Sequence, residues 1–507
     1  MTDPGSDPGA DIAGLLHQAL AQHQAGNITA AMAGYRAVLA QQPRQVDALH
    51  LLGVALEQGG EAEAAVAMIR QAIAIDGSRA DFHDNLGNAL LAAKDGEGAA
   101  MAYREALRLE PQRPSTLYNL GNILRLRGET EEARQLLQQA LRLQPRYADA
   151  LKNLALLEWE EGDMAAAEPL FRQAAQLAPQ DRVLPMNYAL YQLARGAYGA
   201  GWDLYESRWR SGVYDERDWG AGLPRWDGSP QPGRHLLLWG EQGIGDQILH
   251  GTMLRDAVAH VRAAGACRVS IAVSDRLVPL LARSLADLPD LQVIERNQKT
   301  DADLQCPFGS LGRFLRRTAT DFPAGRQAGA YLRADPARVA EFRARHAAMA
   351  GPGKRVYGLA WRSGNLQLAD AKSIPLAKLA PLFALSGIAW LSVQYGDPRD
   401  EVAASGLPLN TALTVDGLQD IDGQAAQLAA LDGIVSVSNT GVHVAAGLGL
   451  PCHLLLPKGR GRLWYWPREG TQSPWYGSVR LWRQHRSNIW EDVINDIASF
   501  LKVEIHS

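Results

Sequence analysis

The first part of this 507-residue chain repeats itself with a period of 34 residues. Each unit closes on proline or glycine, at Pro43, Gly77, Pro111, Pro145 and Pro179. Small residues follow the same period, at Gly53, Gly87 and Gly121 and at Ala65, Ala99, Ala133 and Ala167. Small side chains let two helices approach closely, and proline cannot continue the helix before it. A fixed period of this length predicts a solenoid of stacked helix pairs.

Composition narrows the possible functions. Hydrophobic residues make up 47% and charged residues 21% of the chain, and no apolar run approaches the roughly 18 residues of a membrane helix. The net charge of -4 gives no overall attraction to nucleic acid. The start, MTDPGSDPGAD, lacks the features of a secretory signal, so a disordered tail over residues 1–11 and a cytoplasmic location are expected. The widely spaced Cys267, Cys306 and Cys452 predict buried thiols.

The repeats resemble the tetratricopeptide repeat. One unit reads NLGNALLAAKDGEGAAMAYREALRLEP, and the next reads NLGNILRLRGETEEARQLLQQALRLQP. The resemblance covers residues 12–215, as about six repeats whose terminal members are degenerate. A connector rich in Trp, Gly and Pro follows over residues 216–233.

Four asparagines recur at the same position of successive repeats: Asn85, Asn119, Asn153 and Asn187. In the tetratricopeptide architecture this sixth position of the first helix faces the concave groove. A carboxamide both donates and accepts, so a row of them can bind an extended peptide irrespective of its side chains. The row is similar to the asparagine ladder of O-GlcNAc transferases, which implies a peptide-binding groove. The alternative is a common repeat consensus whose amides pair within the array.

Apolar strand-like segments alternate with helical ones in the second half. HLLLW, RVSIAVS and LQVIER form a first series, and RVYGLAW, IAWLSVQ, GIVSVS and CHLLLP form a second. This alternation predicts parallel sheets wrapped by helices, in one lobe over residues 234–349 and another over 354–505. Ligands of such sheets bind beyond the carboxyl ends of the strands.

The same half resembles the heptosyltransferase-like (family 9) glycosyltransferases. The resemblance rests on LLLWGEQGIGDQIL, ADLQCPFGSLGRF, GLAWRSGN, LSVQYGD and SNTGVHVAAGLGLPCHLLLP. It implies an α-helical tetratricopeptide solenoid followed by an α/β GT-B fold of two Rossmann-like lobes, the first on the acceptor side and the second on the nucleotide-sugar side. The fusion is similar to bacterial protein and flagellin glycosyltransferases. It implies transfer from a nucleotide sugar to a protein acceptor in the repeat groove, without a further cofactor.

The stretch GEQGIGDQILHG follows the first strand of that half. A dinucleotide fingerprint needs a third glycine where Ile248 stands, and a P-loop needs GK[ST]. In the resembled family the Gly-Asp of this loop, here Gly245–Asp246, lies in the cleft, where the acid is a candidate general base. Glycosyl transfer with inversion requires such a carboxylate. Glu241 and His250 are further candidates, and the alternative is that Asp246 caps the next helix.

The resemblance places the donor phosphates in the second lobe. Asn439, Thr440 and Gly441 open a helix, whose N–H groups suit a diphosphate, and His443 is either another donor or a structural histidine. Asn439 stands where the family has Asp, which weakens a catalytic role there. Further donor-binding candidates are Arg362, Ser363, Asn365 and Lys372 after GLAW, and Gln394 after LSVQ. Arginine and lysine suit phosphate oxygens, although a solvated loop would have the same composition.

The segment from Lys458 to Arg486 is rich in basic and aromatic residues. A nucleotide sugar explains this with fewer assumptions than single-stranded nucleic acid, and packing against the last helix is the alternative for the aromatics. Two Asp-X-Asp strings, at Asp301 and Asp420, suggest a metal site, but their contexts and the resemblance favour metal-independent transfer.

Two other functions remain open. One is a non-catalytic scaffold whose repeats bind a partner, which Asn439 favours. The other is a glycosyltransferase that acts on lipid or polysaccharide.

Overall fold

The computed structural model describes residues 8–212, 219–220, 222–326, 328–364, 368–486 and 489–506, with side chains from residue 12 to residue 505. The chain forms two compact units. The first contains the residues up to Glu158 together with Ala165–Pro179, and the second contains Trp159–Met164 together with Gln180 onward.

Antiparallel helix pairs make up the first unit. The helices that begin before residue 180 are α1 (Pro8–Gln24), α2 (Ile28–Gln41), α3 (Val46–Gln58), α4 (Ala62–Ile75), α5 (Ala80–Ala92), α6 (Gly96–Leu109), α7 (Pro114–Arg127), α8 (Thr130–Leu143), α9 (Ala148–Glu161) and α10 (Met164–Leu177). The small periodic residues lie where paired helices touch, because a side chain at Gly53 would collide with Ile69 and one at Gly87 with the Tyr103 ring. Gly128 ends α7 with a positive φ of 79°. The predicted helix pairs are therefore confirmed.

Two parallel sheets with flanking helices make up the second unit. The first sheet and its helices comprise α11 (Leu184–Ala194), α12 (Tyr198–Tyr205), α13 (Arg208–Ser211), β1 (His235–Trp239), α14 (Ile244–Gly251), α15 (Leu254–Val261), β2 (Arg268–Val273), α16 (Val278–Ser284), β3 (Leu291–Glu295), β4 (Leu304–Pro307), α17 (Gly312–Leu315) and α18 (Pro336–Ala350). The second comprise β5 (Arg355–Ala360), α19 (Ala369–Lys372), α20 (Ala380–Phe383), β6 (Ile388–Ser392), α21 (Arg399–Ser405), α22 (Ile421–Ala429), β7 (Gly433–Val437), α23 (Thr440–Gly447), β8 (Cys452–Leu456), β9 (Val479–Arg483) and α24 (Glu491–His506).

All the strand pairs that the structure describes in the two sheets are parallel. Their strand orders are β3-β2-β1-β4 and β6-β5-β7-β8-β9. Strands β1, β7 and β8 are buried along their whole length, as expected when helices cover both faces of a parallel sheet. The prediction of an α/β second half is confirmed.

The α11–α12 hairpin belongs to the second unit, although the repeat resemblance extends to residue 215. Trp202 of α12 is fully buried against Gly312, and its indole N–H donates to the carbonyl of Arg316 at 2.9 Å. Tyr205 is buried in the same core, which also contains Leu236 and Leu238 of β1. Large aromatic side chains thus fix this hairpin to the first sheet and its helices.

Helices α14 and α23 follow the carboxyl ends of β1 and β7 and pack against each other. The chain between the two sheets passes beside both helices. The Tyr331 hydroxyl donates to the carbonyl of Ile248 at 2.9 Å, and the Leu332 N–H donates to the carbonyl of Gly447 at 2.8 Å. One core includes side chains from both lobes, so the two helix starts have a fixed relative position.

Two predictions from composition can be compared directly with the fold. Cys267, Cys306 and Cys452 are free and buried, as predicted. Within the part of the chain that the structure describes, none of the helices has the length and apolar character needed to cross a membrane.

Candidate functional site

A cavity of about 600 Å³ lies between the two lobes of the second unit. Residues 242–246 line it after β1, residues 363–364 after β5, and residues 438–441 after β7. These are the carboxyl ends of parallel strands, where α/β proteins bind their ligands. The cavity therefore lies where the sequence predicted a site.

Asp246 is in the first turn of α14 and lines the cavity. The helix begins at Ile244 with Gly243 as its N-cap, so Asp246 is not the cap that the alternative interpretation required. The backbone N–H of Gly243 lies near the Asp246 carboxylate and lowers the pKa of Asp246, which partly offsets the effect of burial. Burial raises the pKa of Asp246 to about 6, a value suited to a general base near neutral pH.

Lys372 lines the cavity from the second lobe and is only 4% exposed. The structure gives its ammonium group neither a hydrogen bond nor an ion pair with any residue that it describes. Burial lowers the pKa of Lys372 to about 8, while the Asp246 carboxylate opposes that shift. A buried cation without a partner is costly, and an anionic ligand in the cavity would remove that cost.

The start of α23 forms another wall of the cavity. Asn439 is the N-cap, its side-chain oxygen accepts the Val442 N–H at 3.3 Å, and its amide donates to the carbonyl of Arg362 at 3.4 Å. Thr440 and Gly441 line the cavity beside it. Asn439 thus ties the loop after β5 to a helix start whose free N–H groups favour anions.

His443 also lines the cavity and is almost completely buried. Its Nδ1 shares a hydrogen bond of 3.2 Å with the Tyr476 hydroxyl, and its ring stacks on Trp466. Burial lowers the pKa of His443 to about 3, and the Lys372 charge adds to the effect. The imidazole is therefore neutral at physiological pH and is held by structural contacts.

Glu241 lies outside the cavity, contrary to its prediction as an alternative base. Its carboxylate accepts the Gly309 N–H at 2.8 Å and pairs with Arg208 at 2.9 Å. Arg208 also binds Glu206 and the Ser310 hydroxyl. Both carboxylate oxygens of Glu241 are thus used in contacts within the buried interior, which gives this residue a structural role.

His250 also differs from its predicted catalytic position. It is completely enclosed among the rings of Trp202, Trp464 and Trp475, and neither ring nitrogen has a hydrogen-bond partner among the described residues. Burial and the charge of Arg208 together lower the pKa of His250 to about 3. A neutral, enclosed imidazole cannot reach a ligand in the cavity.

Two of the predicted donor-binding residues organise the loop after β5. Gln394 is fully buried, and its side-chain oxygen accepts the N–H groups of Trp361 and Arg362 at 3.0 and 2.8 Å. The Arg362 guanidinium pairs with Glu401 at 3.2 Å and does not line the cavity. Both predictions of ligand contact are therefore corrected, because these groups are used in protein contacts.

The remaining candidates from that loop have different outcomes. Ser363 is buried and lines the cavity, with its N–H donating to the Ser373 hydroxyl at 3.1 Å. Asn365 lies outside the described residues.

Two asparagines of the predicted ladder pair with neighbouring side chains, and a third is buried. Asn85 bonds to His50 at 2.8 Å and Asn119 donates to Asn88 at 3.3 Å, while Asn153 is 5% exposed. The structure thus favours the alternative in which these amides pair within the array. Asn187 lies on α11, in the second unit.

The basic and aromatic segment contributes a further wall that the individual site predictions missed. Its residues on the cavity are Arg460, Arg462, Leu463, Trp464, Tyr465 and Arg468. Their sequence signal was the density of arginine and aromatic residues, which predicted an anionic ligand. Other aromatics of the segment pack internally, as Trp482 does against Phe500 of the last helix. Trp159, which also lines the cavity, carried no sequence signal.

The two Asp-X-Asp strings have structural partners. Asp301 pairs with Arg268 and Asp303 accepts the His235 N–H. Asp420 accepts the Gly423 N–H and pairs with Arg338. Across the described ranges no group of three or more His, Cys, Asp or Glu side chains could hold a metal ion.

Comparison with known proteins identifies the first half. Two tetratricopeptide repeat models match residues 16–80 and 112–180. The chain therefore contains tetratricopeptide repeats, which indicate a protein-interaction module.

One curated relative extends the comparison. Protein FlbA of Caulobacter vibrioides is 31% identical over 332 residues, which cover 61% of this chain and 53% of FlbA. The chain thus spans about half the length of this relative.

Several solved structures resemble part of the chain. The crystal structure of MamA protein is 20% identical with a TM-score of 0.31, over 34% of this chain and 94% of that chain. Pseudomonas aeruginosa PilF is 23% identical with a TM-score of 0.34, over 40% of this chain and 88% of that chain.

Proposed function

We propose that this protein is a metal-independent GT-B glycosyltransferase that transfers a sugar from a nucleotide-sugar donor to a protein acceptor. The main support is that the Asp246 carboxylate and the unpartnered Lys372 ammonium line one cavity between two parallel-sheet lobes. A base and a phosphate-binding cation in one cleft are what this reaction requires.

In the proposed reaction, Asp246 accepts the proton of the acceptor nucleophile as that nucleophile attacks the anomeric carbon. The bond from the anomeric carbon to the diphosphate breaks, and negative charge develops on the leaving group. Lys372 and the N–H groups at the start of α23 stabilise that charge. The neutral His443 adds a hydrogen bond without adding charge.

The proposal of a protein acceptor rests on the repeats. Tetratricopeptide repeats indicate a protein-interaction module, and this chain joins them to a second unit with a cavity. The internal pairing of Asn85 and Asn119 and the burial of Asn153 argue that other groove residues carry most of the peptide contacts. If the acceptor were instead a lipid or a polysaccharide, the repeat groove would serve only to assemble this protein with a partner.

Thermal unfolding with UDP-, GDP-, ADP- and CMP-sugars tests donor binding. A donor that binds only the folded protein raises Tm. At a donor concentration of 100 times Kd, it adds about 2.7 kcal/mol to the free energy of unfolding. Asp246→Asn should keep the shift given by the active donor and lose transfer. Asp275→Asn, an exposed acid after β2, is the matched control and should keep both.

The rival function is a scaffold without catalytic activity. It is favoured by Asn439, whose carboxamide caps α23 where the resembled family has an acid. Absence of a Tm shift with every nucleotide sugar, in folded protein, would favour this scaffold. Transfer that persists in Asp246→Asn would remove Asp246 from the role of base.

A further inference from the structure

Arg462 and Arg468 form a cationic wall of the cavity that the proposed reaction does not use. Neither guanidinium pairs with a carboxylate within the part of the chain that the structure describes. Arg462 donates to the carbonyl of Pro457 at 3.1 Å, and Arg468 donates to the carbonyl of Glu160 at 3.2 Å. Arg468 also lies 5.9 Å from the centre of the Trp159 ring. Carbonyls and an aromatic face hold these groups in place without neutralising them.

The electrostatics of this wall are unfavourable in the absence of a ligand. Burial and the charge of the neighbouring Arg462 together lower the pKa of Arg468 to about 9. Burial and the charge of Arg483 lower the pKa of Arg462 to about 10. Glu160 and Glu161 oppose these shifts only in part. An arginine ordinarily keeps its charge under all conditions, so the cluster holds positive charge at an energetic cost.

The segment that carries this wall passes next to Lys372. A Cβ at Gly461 would lie 3.0 Å from Cγ of Lys372, so the glycine lets the segment pass directly over the lysine. Arg462 follows Gly461, and Arg468 lies further along the same segment. The cavity therefore has cations at Lys372 and again beyond it, toward Trp159.

The wall also includes aromatic side chains, and this distinguishes it from a purely polar anion site. Trp464 and Tyr465 line the cavity between Arg462 and Arg468 in the sequence. A sugar ring packs its apolar face on such aromatic surfaces, while planar guanidinium groups bind a carboxylate through two parallel hydrogen bonds.

We propose that Arg462 and Arg468 bind a carboxylate on the transferred sugar, so that the donor is a nucleotide-activated acidic sugar. This inference rests on the proposed function, because it assigns the diphosphate to Lys372 and the start of α23. It adds a second anionic group to the substrate and assigns specificity to the arginine wall.

Calorimetric titration of the full chain with two sugar phosphates tests the inference. Glucuronate 1-phosphate and glucose 1-phosphate differ only in whether C6 is a carboxylate or a hydroxymethyl group. The wild type should bind glucuronate 1-phosphate at least 10-fold more tightly. In Arg462→Gln and in Arg468→Gln that preference should fall below 3-fold, with the affinity for glucose 1-phosphate nearly unchanged.

The control variant is Arg480→Gln, an arginine on β9 that packs on Phe500 and does not line this cavity. It should keep the full preference. Equal affinity of the wild type for both probes, or a preference that survives in both variants, would overturn the arginine subsite. Glucose 1-phosphate binding that is lost in Lys372→Met would still support the proposed function in that case. Failure of both probes to bind would contradict the phosphate site itself, and with it the proposed function.

Discussion

Gly245 lies directly against His443, so that a Cβ at residue 245 would be 3.2 Å from Cδ2 of the imidazole. The same Cβ would be 3.6 Å from the Thr440 hydroxyl. Since Gly245 lies in the first turn of α14 and Thr440 is the first residue of α23, this glycine sets how closely two helix N-termini approach at the cavity.

Substitution of Gly245 should therefore have graded effects. Gly245→Ala requires a shift of a few tenths of an ångström, whereas Gly245→Val adds two methyl groups to a closed contact and should cost about 1–3 kcal/mol. Urea unfolding measures this cost. Gly96→Ala, at the start of α6 with open space around it, is the control and should leave stability within about 0.5 kcal/mol. A fully stable Gly245→Val would contradict the close approach.

The rate of transfer should depend on pH with two limbs. Asp246 must be ionised to act as a base, so kcat/KM should rise as pH increases through about 6. Lys372 must be protonated to bind phosphate, so kcat/KM should fall as pH increases through about 8. Lys372→Arg stays charged in this range, so this variant should lose the alkaline limb and keep the acid limb. An alkaline limb that persists in Lys372→Arg would assign it to another group.

Asp246 should also lower the stability of the protein above its pKa. Its pKa in the folded protein, about 6, lies above the ordinary aspartate value of 3.8, so the folded state disfavours the ionised form. This contribution leaves stability unaffected below about pH 4 and reduces it as pH rises through 6. We expect Asp246→Asn to gain about 1–2 kcal/mol at pH 8, a value reduced for its partial exposure to the cavity, and nothing at pH 4. Denaturant unfolding at the two pH values checks this difference.

Arg208 should matter more for stability than Glu241. Both side chains are 1% exposed, and Arg208 neutralises Glu206 as well as Glu241. Arg208→Met leaves two carboxylates in the interior and should cost about 3–5 kcal/mol. Glu241→Gln keeps the shape and leaves Arg208 with Glu206, so it should cost less than half as much. Equal losses in the two variants would show that the cluster is not organised around the arginine.

Replacement of the repeat asparagines should reduce stability as well as any acceptor affinity. Asn85→Ala removes a partner from His50, and Asn119→Ala removes one from Asn88. Each loss should cost about 1 kcal/mol in thermal unfolding. If the amides also bind peptide, Asn119→Ala combined with Asn153→Ala should weaken acceptor binding without changing donor hydrolysis. Unchanged acceptor affinity with reduced Tm would leave the asparagines a structural role alone.

Local patterns were sufficient to predict the elements of the fold. The recurrence of Gly53 and Gly87 reflects a steric requirement that is the same in each repeat, so a single chain reveals it. Strands such as HLLLW are apolar throughout because helices cover both sheet faces, and this too is visible locally. The end of the repeat array was harder to predict from the sequence. Trp202 is repeat-like in sequence, while its partner Arg316 is more than 100 residues away.

The candidate site could be predicted only at the ends of strands. That rule, together with the family resemblance, identified Asp246, Lys372 and the start of α23, all of which line the cavity. It also selected Gln394, which follows a strand but turns toward backbone N–H groups. Trp159 reaches the cavity from the last turn of α9, a position that no strand-end rule includes. Contacts between distant segments, such as Gly245 with His443, have no local signal.

The second compact unit is discontinuous in sequence, because Trp159–Met164 belongs to it while Ala165–Pro179 does not. No single cleavage of the polypeptide can yield both units intact. A truncated protein that starts at residue 180 would lack Trp159, and with it the ring beneath Arg468. A different repeat array put in place of this one would therefore have to supply an equivalent of Trp159–Met164. The repeats and the cavity must accordingly be inherited or engineered together.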